Sequence, residues 1–219
     1  DNATILAYKK ANKKINIKKN INNVIYVSEN AKTDISLYDI ILSVDGKDIN
    51  NIKELQDYIK TKNEGDIVYF KVISNKKEVD RKAEVINING ELKVGIAFLT
   101  TYEYETDPSI TIKTKSSESG SSGGLMLSLA IYNAITKEDI TKGKTIVGTG
   151  TIDILGNVGK IDGVKYKILG AVKNKADLFI CPKDNYDEAM KVKKEHNLDI
   201  NIVSVETFDE AINYLENNL

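Results

Sequence analysis

The chain has one cysteine, Cys181, and one histidine, His196, among its 219 residues. A single cysteine excludes an internal disulfide and any cysteine-rich metal site, so no metal is expected. The single histidine lies in "KVKKEHNLDI", amid charges near a helix end, where a solvated cap is its expected role. Charge of one sign is also lacking. Lys and Arg number 31, Asp and Glu 32, and a net charge of -1 provides no field to attract a nucleic-acid backbone. The longest mostly apolar run, residues 124–135, falls far short of the roughly 20 residues that cross a bilayer. No signal peptide precedes it, and the chain begins at Asp1 without an initiator methionine, which reads as a soluble fragment of a longer protein. Nor is there a G-x-x-x-x-G-K-[ST] run: Glu138 stands where the first glycine belongs ahead of "GKT", and "GNVGKI" lacks the hydroxyl. Nucleotide is therefore not an expected cofactor, and no other cofactor is indicated.

With 41% hydrophobic residues the chain can build ordinary cores, either one large domain or two small ones. Residues 1–15 carry Ile5, Leu6, Ala11 and Ile15 among lysines, the modest pattern of a surface helix. From Asn23 short β-branched runs follow, "VIYV", "DIILSVDGKDI", "DIVYFKVI" and "AEVINI", with a hairpin signal at Asp45-Gly46 and helical spacing of Ile52, Leu55 and Ile59. After Asn89, "VGIAFLTTYEYE" and "SITIKTK" read as strands. An apolar helix over 122–135 comes next, and then strands alternate with helices to the end, "DLFICP" being a buried strand. The fold class is α+β, with a helical segment at 1–22, a β-rich module at 23–88 and a mixed domain at 89–219.

The stretch "SSESGSSGGLMLSLAIYNAI", residues 116–135, places five serines and three glycines directly before the apolar helix. Glycine-rich amides at a helix start suit an anion, either a phosphate or the oxyanion of acyl transfer. Ser122 is the candidate nucleophile, framed by Gly120 and Gly123, which permit a tight turn and oxyanion contacts; its bland alternative is an N-cap serine on a loop. A serine needs a base, and besides histidine the known solution is a lysine kept neutral. An ordinary lysine, with a pKa of about 10.4, needs a shift of roughly three units, about 4 kcal/mol, to act near neutrality. In "KIDGVKYKILGAVKNKA" the inward face is Val164, Ile168, Ala171 and Val172. Lys165 and Lys167 flank it, Lys165 lies somewhat nearer its centre, and periodicity leaves the choice open.

At "LYDIILSVDGKDINNIKELQDYIKTKNEGDIVYFKV" the sequence resembles a PDZ domain over about 65 residues. That resemblance implies a groove for a C-terminal peptide tail, here between Val24–Val27 and the helix of Leu55 and Ile59. At "GSSGGLM" and "VGTGTIDILGNVGKIDGVKYKILGAVKNKADLFICP" it resembles the proteolytic domain of Lon-type serine peptidases. By position in that family's motifs the nucleophile is Ser122, the base Lys167 and the supporting threonine Thr149, which would help hold Lys167. Ser121, Gly123, Asp162 and Val164 depart from the family pattern without removing either reacting group. The combination is similar to membrane-anchored PDZ and Lon-type proteases of Gram-positive bacteria. It implies an ATP-independent endopeptidase acting on flexible or unfolded polypeptides and facing the cell exterior, its membrane anchor upstream of this fragment. The alternative is a non-catalytic PDZ/Lon-like scaffold.

Overall fold

The computed structural model describes residues 1–113 and 120–219. The chain divides into two compact units, one of residues 17–104 and one of 1–16 with 105–219. The first is inserted in the second, and both junctions lie within long strands, β1 (Lys14–Val27) and β8 (Ile96–Asp107). The limits read from sequence, after residues 22 and 88, fall inside β1 and at the turn of a hairpin. Local pattern marked where β character begins; strand pairing decides where a unit ends.

The inserted unit is built on antiparallel pairing. β2 (Ile40–Val44), β4 (Ile67–Ser74) and β5 (Lys77–Glu84) join β1 and β8 in the order β5-β4-β2-β1-β8, and β3 (Lys47–Asp48) pairs with β2. Along β4, Val68, Phe70 and Val72 are buried while Ile67, Tyr69 and Lys71 face outward, the period-2 signature of a half-buried strand. α2 (Ile52–Ile59) starts at Asn51, whose side chain accepts from the Glu54 amide at 3.0 Å; Glu54 returns the contact by accepting from the Asn50 amide at 2.8 Å. Its Leu55 and Ile59 close a core with Val24, Ile41, Phe70 and Phe98. "AEVINI" is not one strand. It breaks at Val85, and its end forms β6 (Ile86–Ile88), paired with β7 (Glu91–Lys93) across Asn89-Gly90, both at positive φ.

The other unit is a layered α/β arrangement. β9 (Ile146–Gly148), β12 (Leu178–Pro182) and β13 (Asn201–Val205) form a parallel sheet with β12 in the middle. Every residue of β12 is buried because its two faces serve two cores. Leu178 and Ile180 join α1 (Asn2–Lys10), α3 (Gly124–Ile135) and α6 (Phe208–Asn218), whereas Phe179 and Cys181 join α4 (Val164–Lys173) and α5 (Tyr186–Glu195). A small antiparallel pair, β10 (Thr151–Ile152) with β11 (Val158–Gly159), follows β9.

α1 corrects the surface-helix expectation. Ala3, Thr4, Ile5, Ala7 and Tyr8 are all buried, and the Tyr8 hydroxyl donates to the Pro108 carbonyl. Counting only strongly apolar residues missed a face made of two alanines, a threonine and a tyrosine. Residues 109–113, expected as a strand, have no regular structure; Thr114 and Lys115 of that expected strand, and Ser116, Ser117 and Ser119 of the serine-rich stretch, lie outside the described residues.

Candidate active site

The nucleophile candidate sits in a 3-10 turn, Ser121–Gly123, that leads directly into α3. Packing fixes this start: a Cβ on Gly124 would lie 2.8 Å from Ile152 Cγ2, so only glycine lets the helix begin this close to β10. The turn is stitched to the strand segment "TGT". The Ser122 carbonyl accepts from the Gly150 amide at 2.8 Å and from the Thr149 hydroxyl at 3.0 Å, and the Leu125 amide donates to the Gly150 carbonyl at 3.1 Å. Thr149, 1% exposed, is further tied by its own amide to the Ile180 carbonyl at 2.9 Å. The Thr149 hydroxyl thus donates to the Ser122 carbonyl and keeps its oxygen lone pairs as acceptors, the capacity it would need to hold the lysine as the family resemblance implies.

α4 brings the second group. Gly163 takes a left-handed φ of +72° and opens the helix, and Val164, Ile168 and Ala171 are buried beneath it. Lys165 is exposed. Lys167 is half-buried, and its Nζ donates to Ser122 Oγ at 3.1 Å. Helical spacing had left the two lysines undecided; the register of α4 on the sheet turns Lys167 toward the serine.

The glycines divide differently from the sequence expectation. The Gly123 amide donates to the Gly120 carbonyl at 3.3 Å, and the Gly124 amide is spent on Ser121, so neither points at an incoming carbonyl. Gly120 lies beside the nucleophile, its Cβ direction 3.7 Å from Ser122 Oγ. His196 is an exposed C-cap of α5, and burial pushes the Cys181 thiol up to about 11, which removes both from competition as base or nucleophile. Among the described residues no cluster of His, Cys, Asp and Glu could hold a metal ion.

In the inserted unit, β1 has β2 on one side and β8 on the other. β1 pairs with β2 at Asn22 and Asn23, just before the Val24–Val27 stretch beside which the groove is expected, and in this sheet the edges are β5 and β8. At the end of α2, a cavity of about 380 Å³ is lined by Gln56 and Lys60 of the helix and Gly90, Glu91, Leu92 and Lys93 of the β6–β7 hairpin.

Two family models match this chain. Residues 113–217 match the Lon protease (S16) C-terminal proteolytic domain, and residues 9–85 match the PDZ domain. The Lon protease of Metamycoplasma arthritidis is 35% identical over 96 residues, 44% of this chain and 11% of that protein. The peroxisomal Lon protease homolog 2 of Caenorhabditis elegans is 30% identical over 93 residues, 42% of this chain and 12% of that protein. The chain thus spans about a tenth of the length of the curated relatives it matches. Among solved structures, the PDZ domain of the SdrC-like protein from Listeria monocytogenes aligns with 36% of this chain and 86% of its own, at 22% identity and a TM-score of 0.33. Ser122, Thr149 and Lys167 all fall within the Lon-matched segment. No helix of the described residues is long and apolar enough to cross a membrane.

Proposed function

We propose that the chain is a serine endopeptidase in which Ser122 is the nucleophile and Lys167 the general base, with the PDZ-matched unit capturing a peptide. The carrying observation is the 3.1 Å contact between Lys167 Nζ and Ser122 Oγ. The Lys167 amine takes the hydroxyl proton as Ser122 Oγ bonds to the scissile carbonyl carbon, whose π electrons move to oxygen. The Gly123, Gly124 and Leu125 amides are engaged elsewhere, and in this reading the Ser122 amide, at the positive end of α3, donates to the oxyanion. As the tetrahedral intermediate collapses, the C–N bond breaks and Lys167 returns its proton to the leaving amine. Water, deprotonated by the same amine, then releases the acyl group from Ser122.

In this reading the Gly120 turn leaves Oγ accessible, and α3 anchors the turn from behind. Hydrolysis in this reading proceeds without nucleotide on chains that are already flexible. A peptide tail adds at the β8 edge, with Leu92 offering an apolar wall. By the same family resemblance, an upstream anchor holds the protease at the outer face of the cell membrane.

The test is cleavage of dye-quenched casein by the wild type and by Ser122→Ala, with and without ATP. Cleavage that ATP leaves unchanged and Ser122→Ala abolishes sustains the proposal. Cleavage surviving in Ser122→Ala refutes it. Peptide binding without Ser122-dependent cleavage favours the scaffold.

A further inference from the structure

Asn185 is fully buried, yet the proposed mechanism gives it no part. It closes the "CPKDN" segment, where β12 ends at Pro182 and a 3-10 turn leads into α5. Its side-chain amide makes a two-point contact with the backbone of one residue: Oδ1 accepts from the Ile161 amide at 2.9 Å, and Nδ2 donates to the Ile161 carbonyl at 2.9 Å. This imitates a strand partner where no strand is present. A side chain that both donates and accepts at this reach is needed; aspartate has no donor, and glutamine is one methylene longer.

Ile161 lies two residues before Gly163, the left-handed residue that opens α4, and Lys167 lies at the end of the first turn thereafter. The connection from β11 to α4 is short, and its flanking Lys160 and Asp162 are exposed, so the buried Ile161 is where this loop is held. Where the loop is held decides where the helix starts, and the start of the helix sets how far Lys167 Nζ can reach. The serine has its own clamp in Thr149 and Gly150, on the opposite side of the pair.

We propose that Asn185 is a positioning residue for the lysine of the Ser122–Lys167 pair. It fixes Ile161 and thereby the first turn of α4. The inference rests on the endopeptidase reading for its kinetic consequence, but its geometric claim stands apart. Misplacement of a reacting group by about 1 Å is enough to cost about 100-fold in rate.

The experiment compares wild type, Asn185→Ser and Asn185→Asp with Val192→Ala, which cuts the same core cluster but removes neither hydrogen bond between Asn185 and Ile161. Each is assayed on dye-quenched casein well below its melting temperature, and each is crystallised. Both Asn185 variants should lose about 10- to 100-fold in kcat with KM within about twofold. Their Nζ–Oγ separation should lengthen past hydrogen-bonding distance, about 3.5 Å. Val192→Ala should melt lower with kcat and distance kept. Equal losses in Val192→Ala, an unchanged separation in the Asn185 variants, or failure of both variants to fold would assign Asn185 to stability alone and overturn the proposal. If the wild type itself shows no Ser122-dependent cleavage, the endopeptidase reading fails, and the crystallographic separation still decides the positioning claim.

Discussion

The inserted unit pairs strands that are mostly neighbours in sequence, whereas the layered unit joins α1 to helices more than a hundred residues away on one face of a parallel sheet and packs α4 and α5 on the other. The contrast follows from connection geometry. An antiparallel pair needs only a tight turn, and a parallel pair needs a crossover, here a helix each time. The crossover helices place side chains from distant segments over one sheet. This arrangement lets a serine at the head of α3 meet a lysine on α4, 45 residues apart. The proposed peptide-binding surface in one unit and the Ser122–Lys167 contact in the other thus come from two ways of closing a core.

The largest effect that tests this contrast separates the two lysines of α4. Lys167→Met should lower Ser122-dependent cleavage by about 1,000-fold or more, as removal of a catalytic base does elsewhere. Lys165→Met, exposed on the same helix, should remain within about twofold. Initial rates on an unfolded substrate measure both. Equal losses would mean that α4 contributes a charged face and no single base.

A second test concerns α1, which precedes the inserted unit in sequence and belongs to the core of the other. Ile5 is fully buried, so Ile5→Ala should cost about 2–5 kcal/mol in urea unfolding of the layered unit. A surface helix, as the sequence suggests, predicts a change within about 0.5 kcal/mol.

Much was legible where one residue's environment repeats at fixed spacing. β4 shows as a β-branched run, α2 as the helical spacing of Ile52, Leu55 and Ile59, and "LFICP" is apolar throughout because both faces of β12 are covered. Illegible features depend on partners far along the chain. That β1 is an interior strand follows from its pairing with β8, some seventy residues later, which local pattern does not show. The family motifs point to Ser122 and Lys167, whereas helical phase alone left Lys165 and Lys167 undecided. Asn185 carried no periodic signal; its only sequence cue is a lone amide after a buried strand, at a turn.

The serine's own clamp gives a smaller effect. Thr149→Val removes the hydroxyl donor but leaves the Gly150 amide on the Ser122 carbonyl, so kcat should fall about tenfold, equivalent to about 1.4 kcal/mol. Thr149→Ser should restore most of it. A loss that serine does not restore would shift the role of Thr149 from its hydroxyl to its methyl packing.

The smallest effect lies in the inserted unit and distinguishes it by acid response. Asp45, at positive φ in the β2–β3 turn, accepts from the Tyr69 amide at 2.8 Å, the Tyr58 hydroxyl at 2.8 Å and Lys62 Nζ at 3.0 Å. Burial acts to raise its carboxyl pKa, but these donors together hold it below the usual aspartate range. A depressed folded pKa means a contribution present above the unfolded value, near 3.9, and lost as pH falls through the lower folded one. For a partly exposed group this contribution is below about 1 kcal/mol. Wild type should therefore be more stable than Asp45→Asn at pH 7 and equal to it in strong acid, as read by hydrogen exchange of Val72 and Ile59. An advantage that persists unchanged into acid would show that turn geometry rather than charge joins α2 to the sheet, and the two units would then differ in strand connection alone.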